Sequence, residues 1–367
     1  MRVMVKTFGL VLILGLLLQP TGIFGQNLEE QLQQMVAKNA NSYVQPIVTS
    51  AGIGLNSGVY RTAKVHKLLG FDVTVNMTGI SIPDKAKTYT FDTSNLQNVS
   101  FDFTYSYAGQ NQTVPITLNA ASLYPSVDEA PTFFGSDEAP DLEPNTDYAR
   151  NEIVSQVASS NSNITEQDVE NQFGTEVDQA LSNNVQALSI IPPGIDLNYF
   201  ATPSLQASVG LPLGIEAQLR YAPPMTITED IGDFGLFGVG GRISVDQFIP
   251  VPFFPVDIAA GAFYQSLTLG PVDISSSIIH AEVSKSIPML TVYGGFGLES
   301  STLTAKYTMD NPDISDTPQE YEIEIDGENS FRTTVGVRLK LLLLSINADY
   351  SLSEYPSANL GVGVTFR

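Results

Sequence analysis

Two histidines and no cysteine set narrow limits on the chemistry open to this 367-residue chain. His66 and His280 stand apart, without the spacing of a metal-ligand pair. His280 could serve a serine in ester cleavage, with Ser276 or Ser284 close in sequence. Serine is abundant throughout that stretch, however, and a polar lining explains it more simply. Gly238-Val-Gly-Gly241 and Gly294-Gly-Phe-Gly297 look like phosphate loops, but both lie within alternating strands and open no helix. Asp310-Asn-Pro-Asp313 and Asp137-Glu138 offer oxygen ligands for Ca²⁺ without the spacing of a calcium loop. The expectation is no catalytic residue, no cofactor, no metal and no enzyme activity.

The charged residues carry more information through their spacing. Glu216, Arg220, Arg242, Asp246, Asp257, Glu282, Glu299, Arg332, Arg338, Lys340, Asp349 and Arg367 each alternate with apolar neighbours. Ile215, Ala217, Leu219 and Tyr221 oppose Glu216, Gln218 and Arg220, and Val337, Leu339 and Leu341 oppose Arg338 and Lys340. A two-residue period puts the two sets on opposite faces of a strand. Nine such strands follow one another from Pro203 to the end, many with very short connections. The last, 358–367, sets Leu360, Val362, Val364 and Phe366 against Gly361, Gly363, Thr365 and Arg367.

These strands need one polar and one apolar side each. A soluble sandwich would also alternate. Nine strands with their charges confined to one face predict a closed antiparallel up-and-down barrel, lipid outside and polar lumen inside. The listed charges are then lumen charges, paired or wetted, and Phe366 with Arg367 forms the barrel-insertion signal. Leu69, Phe71, Val73, Val75 and Met77 give a tenth strand. Stretches 99–108 and 114–121 would bring the total to twelve, the preferred number, with ten to fourteen compatible.

The remaining segments divide as follows. Residues 1–25 read as a cleaved signal peptide: Arg2 and Lys6, an apolar run from Phe8 to Leu18, then a c-region from Pro20 to Gly25 with cleavage after Gly25. Export without disulfides or a lipid anchor follows from the missing cysteines. Residues 26–66 are a helical, plug-like segment. Its helix is expected over Asn27–Asn39, with Tyr43–Gly58 a small-residue stretch, both at or inside the periplasmic mouth. Residues 67–125 hold the first barrel strands, 126–196 an acidic loop with a helix near Thr165–Leu188, and 197–367 the main strands. The segment 126–182 carries thirteen acids and one base, Arg150. The whole chain has 39 acids against 17 bases, which excludes nucleic acid as a partner. Tryptophan is absent, leaving 15 tyrosines and 19 phenylalanines to build interfacial girdles. Counting back from a periplasmic end, short turns near Pro212, Phe248–Phe254, Ile287 and Leu342 fall inside. The longer loops, with Met309–Glu328 the longest, fall outside.

N-S-Y-V-Q-P-I-V (41–48), G-L-N-S-G-V-Y-R-T-A-K (54–64), L-L-G-F-D-V-T-V (68–75), V-G-L-P-L-G-I-E (209–216), L-T-V-Y-G-G-F-G-L-E (290–299) and the run 331–367 resemble an uncharacterised family of Gram-negative outer-membrane proteins. The resemblance implies an outer-membrane barrel of no assigned activity, with outer-membrane lipid and the barrel assembly machinery as partners and an unknown solute. V-G-L-P-L-G-I-E-A-Q-L-R-Y-A-P is also similar to long-chain fatty-acid transporters, which implies at most a hydrophobic-solute channel. The expected function is a narrow or plugged channel, or a structural or receptor barrel. The competing reading is a secreted or surface-attached β-protein with an adhesive or structural role.

Overall fold

The computed structural model describes residues 26–94, 96–228, 232–250, 255–269, 272–309 and 319–366. The expected leader, the Asp310–Asp313 stretch and Arg367 lie outside them. The described chain divides into two units, one built from 44–87 and 196–367, the other from 26–43 and 88–195.

Strands are numbered in chain order. The first unit contains β1 (Phe71–Ser81), β6 (Tyr199–Gly210), β7 (Ile215–Thr228), β8 (Gly232–Ser244), β9 (Asp257–Leu269), β10 (Val272–Ile287), β11 (Leu290–Met309), β12 (Gln319–Asp326), β13 (Phe331–Leu341), β14 (Leu344–Leu352) and β15 (Ser357–Phe366). Ten of these close into an antiparallel barrel in the order β10-β9-β8-β7-β6-β1-β15-β14-β13-β11, with β10 paired to β11. The first wall strand meets the last, Phe71 opposite Phe366 and Val75 opposite Val362. β12 is the extra strand. It folds back on the far half of β11, Thr302 opposite Asp326, where β13 has ended its own pairing with β11 at Leu298. Part of the expected outer loop at Met309–Glu328 is therefore strand.

The alternation appears directly in the burial of each strand. Along β15 every second residue from Ser357 is buried and every intervening one exposed. Val75, Val337 and Leu360 face outward, while Asn76, Arg338 and Asn359 face the lumen. A one-residue slip would reverse both sets, so the pattern also fixes the register. Turns at 211–214, 288–289 and 342–343 are short and lie at the same end as Phe366. The opposite end carries the insertion between β1 and β6, whose ends Ser81 and Tyr199 are paired.

The second unit explains why the barrel has ten strands rather than twelve. β3 (Val99–Tyr107) and β4 (Gln110–Leu118) pair only with each other. Their alternation is genuine, but its apolar face has a protein partner. Phe103, Tyr105, Ile116 and Leu118 share a core with Ile153 and Val157 of α3 (Thr146–Ser160) and with Val169, Phe173 and Val177 of α4 (Glu166–Asn184). Their outer face is a ladder of hydroxyls, Ser100 to Thr117 and Thr104 to Thr113. The expected acidic loop, 126–196, contributes β5 (Val127–Pro131), which pairs with β2 (Thr88–Phe91). A one-turn helix, α2 (Ala120–Leu123), starts at the Asn119 cap. Thr165 and Asp168 form the anticipated capping box of α4.

Arg150 is the one base in residues 88–195. It clamps α3 to α4, donating from Nε and Nη2 to both oxygens of Glu170 at 3.0 and 2.9 Å and bonding Asp178 as well. The bond from Arg150 holds the Glu170 carboxyl below its ordinary value of 4.5. A depressed carboxyl stabilises the fold above its unfolded pKa and loses that contribution as pH falls through the folded one. Each partner is about one-third exposed, so Arg150→Met should cost only about 1 kcal/mol by urea unfolding at neutral pH and low salt. The difference from wild type should shrink below pH 4 and in molar salt; a pH- and salt-independent difference would assign Arg150 a packing role instead.

Candidate functional site

The barrel lumen is filled by the chain itself. The helix α1 (Gln26–Leu55) runs past the expected end at Asn39, through Pro46, and finishes inside the first unit. It continues through Tyr43–Leu55 because that stretch is buried nearly all round, with Val48 and Ile53 inaccessible. A helix surrounded on all sides has no amphipathic stripe to read. Gly58, at φ +64°, then turns the backbone out of the helix, and a Cβ there would press on Asn76 and Asn359 at 3.1 and 3.2 Å. From Gly58 to Gly70 the chain runs down the lumen to the start of β1.

The end of α1 and the extended run as far as His66 pair with no strand, so their free carbonyls turn to side chains. The wall meets them in sequence. Ile53 O accepts from Arg332 Nη2 at 2.7 Å. Leu55 O accepts from Gln265 at 2.6 Å and from Arg220 Nη1. Ser57 O accepts from Arg220 Nη2 at 2.6 Å. Val59 O accepts from Gln206 and Gln218, both at 3.0 Å. Thr62 O accepts from Arg242 Nη1 at 2.5 Å. Two arginines thus sit on the last carbonyls of α1, where the helix dipole is negative. Arg220 is fully buried beside the Phe263 ring, 5.2 Å from its centroid.

The entry direction differs from the expectation. Thr49 meets Glu328 N and Val48 O meets Ser301 at the insertion end of the barrel. His66 meets Glu216 and Thr365 at the short-turn end. The last turns of the helix, from residue 44 on, therefore lie at the mouth away from Phe366, not at the mouth assigned to them from sequence, and the extended run follows them through. The physical reason is that β1 begins at the short-turn end. A filled lumen must be traversed before the wall starts.

Five arginines and five carboxylates are buried in this unit among the described residues: Arg61, Arg220, Arg242, Arg332 and Arg338, with Asp72, Glu216, Glu282, Glu299 and Asp349. Most are paired. Arg242 bridges Glu216 at 2.9 Å and Glu282 at 2.7 Å. Arg332 reaches Glu299 at 3.1 Å. Asp72 accepts from Arg61 at 2.5 Å and Arg338 at 3.0 Å. Asp349 instead accepts from Tyr293 and Asn359, each at 2.9 Å. Among the described residues no lysine is buried; the buried bases that carry a permanent charge are arginines, whose guanidinium serves several acceptors at once.

Of the residues singled out from sequence, Glu216, Arg220, Arg242, Glu282, Glu299, Arg332, Arg338 and Asp349 are brought into this interior. Asp246, Asp257 and Lys340 lie at the short-turn rim, only partly buried. Asp246 is a turn residue there, accepting from Ser244 Oγ and Ile258 N. Phe366 packs its ring 5.8 Å from Phe71 across the closing seam. Asp72, Arg61 and His66 were missed. Asp72 obeys the same alternation and was legible; Arg61 and His66 lie on no strand and gave no signal.

Glu216, His66 and Thr365 fall in the order acid, imidazole, hydroxyl, at 2.7 and 3.2 Å. That order resembles a hydrolytic relay, but Thr365 is 1% exposed, so a substrate has no approach. Ser284 bonds Thr62 and the Ala63 amide, and Ser276 donates to Ser300 O. His280 instead stacks on Tyr60 of the lumen segment, centroids 4.9 Å apart. The Gly-rich stretches 238–241 and 294–297 lie in β8 and β11.

Residues 1–366 match the family of unknown function DUF6588. The chain belongs to that family. No curated protein gives a significant match. Among solved structures, the N-terminal β-barrel domain of Pseudomonas aeruginosa OprF is similar at 15% identity, over 41% of this chain and 96% of that one, with a TM-score of 0.20. The KdgM porin is similar at 12% identity, over 46% and 93%, with a TM-score of 0.24. OmpT, an outer membrane protein of Vibrio cholerae, is similar at 10% identity, over 81% and 96%, with a TM-score of 0.17. No property of this member of DUF6588 follows from such distant likenesses, and its lumen speaks for itself.

Arg242→Met would leave Glu216 and Glu282 buried without their cation. Removing one partner of a buried pair costs about 3–5 kcal/mol, so this variant should lose most of its folded, heat-modifiable form on electrophoresis. Adding Glu216→Gln and Glu282→Gln should restore a large part of it. An undisturbed single variant would mean that water already solvates these carboxylates.

Proposed function

We propose that this protein is an outer-membrane barrel closed by its own N-terminal segment, which anchors the unit inserted between β1 and β6 rather than passing solute freely. The observation that carries the reading is the chain of wall-to-backbone bonds from Ile53 to Thr62. A barrel of eight strands is filled by side chains alone, and wider ones enclose a cavity. Ten strands leave room for about one polypeptide, and here that polypeptide is present and held by wall side chains at five of its carbonyls.

Membrane placement rests on the barrel's own surface. Its outward residues are mainly apolar across the middle of the wall, and the ten wall strands close on one another by pairing, β10 with β11, so the ring presents no open edge to hydrocarbon. Tyr199, Tyr221, Phe331 and Tyr350 are exposed toward the insertion end, and Phe71 and Phe366 at the other. They supply the two aromatic girdles that tryptophan commonly builds. Short turns at the Phe366 end make it the periplasmic side, and the insertion then leaves and rejoins the barrel on the outside. Phe366 fits the expected insertion signal for the assembly machinery, and export through a cleaved leader fits the same address. The secreted alternative leaves the apolar exterior of ten strands without a partner.

Planar-bilayer recording tests the closed state. The intact protein should give no sustained conductance. Arg220→Ala with Arg332→Ala removes two of the bonds on the end of α1 and should produce intermittent openings, while deletion of 44–66 should produce long-lived steps. Sustained steps from the intact protein, equal to those of the deletion, would overturn the reading and favour an open channel.

A further inference from the structure

The tips of the short turns break two rules together. Leu69, Leu213, Met289 and Leu342 have φ of +60°, +64°, +71° and +57°, the left-handed region that favours glycine or asparagine. An ordinary side chain is strained there, because its Cβ crowds the following carbonyl oxygen. They are also large and apolar, and they are 69%, 80%, 58% and 91% exposed. Phe248, in the turn between β8 and β9, is exposed as well. In water these positions gain nothing from being apolar. Asparagine would relieve the backbone and suit the solvent.

Two further observations identify what covers them. The apolar outer face of the wall runs without a break into the tips, as in Leu339, Leu341, Leu342, Leu343 and Leu344, or Val209, Leu211, Leu213 and Ile215. All of these are exposed. Lysines also gather at this rim. Lys64, Lys67 and Lys285 are exposed there and Lys340 partly so, with only Asp246 and Asp257 as partly exposed acids among the described residues. This stands out in a chain of net charge −22. Apolar tips with a lysine collar match a phospholipid interface, acyl chains below and anionic headgroups around.

The geometry points to the short-turn rim as an interfacial anchor: Leu69, Leu213, Phe248, Met289 and Leu342 enter the periplasmic phospholipid leaflet, and Lys64, Lys67, Lys285 and Lys340 bind its phosphates. This rests on the membrane placement proposed above. The strained backbone is the cost of turning an apolar side chain toward lipid at a position where the chain must reverse. The rim then fixes how deep the barrel sits.

Because the chain has no tryptophan, single substitutions give clean reporters. Leu213→Trp and Leu342→Trp mark the rim, Val337→Trp the wall, and Asp84→Trp the opposite mouth. Each is reconstituted in vesicles of phosphatidylethanolamine and phosphatidylglycerol, with bromine placed at different acyl depths. Folding is checked by heat-modifiability. The rim reporters should emit at short wavelength and be quenched most by the shallowest bromines. The wall reporter should be quenched by deep ones, and Asp84→Trp by none. A quenched wall with an unquenched rim overturns the anchor and leaves the membrane placement standing. An unquenched wall overturns the placement itself. Blue emission at the rim that bromine leaves alone, and that falls on dilution of protein in lipid, would assign the rim to a second copy and overturn the anchor. As a second measurement, Leu213→Asn with Leu342→Asn should lower vesicle binding of the folded, detergent-diluted protein several-fold when phosphatidylglycerol is present. Unchanged binding would also overturn it.

Discussion

A polypeptide backbone cannot be stored in a closed interior without partners for its amides. That requirement organises this protein. The wall strands satisfy one another, but the segment inside them has no ladder to join. Its carbonyls are met by Arg220, Arg242, Arg332, Gln206, Gln218 and Gln265. Each lies on a different strand or at a different height. The arginines bring charge into the interior, and Glu216, Glu282, Glu299 and Asp72 follow to balance it. The ion-pair network is thus a consequence of filling the barrel with backbone.

The same requirement links the wall to the number of strands. A narrower ring would leave no space for α1 and the run beyond it, and a wider one would need water or more chain to bridge the gap. Ten strands place glutamine and arginine side chains within direct reach of a central backbone. Gly58 supplies the left-handed step that ends α1 and starts the extended run, at a point where any side chain would meet Asn76 and Asn359.

The wall was legible because its chemistry is local. Nine strands from Pro203 onward, and β1 before them, announce themselves through neighbours two residues apart. The contents of the wall were not, because they are settled by residues 150 to 280 positions away, as in His66 with Glu216 or Ile53 with Arg332. Alternation also cannot tell lipid from a protein core: β3 and β4 alternate as cleanly as wall strands but pack on α3 and α4. The end of α1 was hidden for the opposite reason, since a helix buried on every side looks like no helix at all. Among charges, alternation found those on the strands from β7 onward; Asp72 on β1 shares the pattern, whereas Arg61, on the central segment, had none to belong to.

The seam between β1 and β15 joins the first wall strand to the last, while the segment inside the ring precedes both in the chain. Closure of that seam therefore turns a covalent leader into an enclosed one. The ring cannot first form and later be filled unless α1 and all that precedes it is drawn through endwise. Topology thus leaves two routes of assembly, closure of the seam around a segment already in place or endwise threading of that segment through the closed ring.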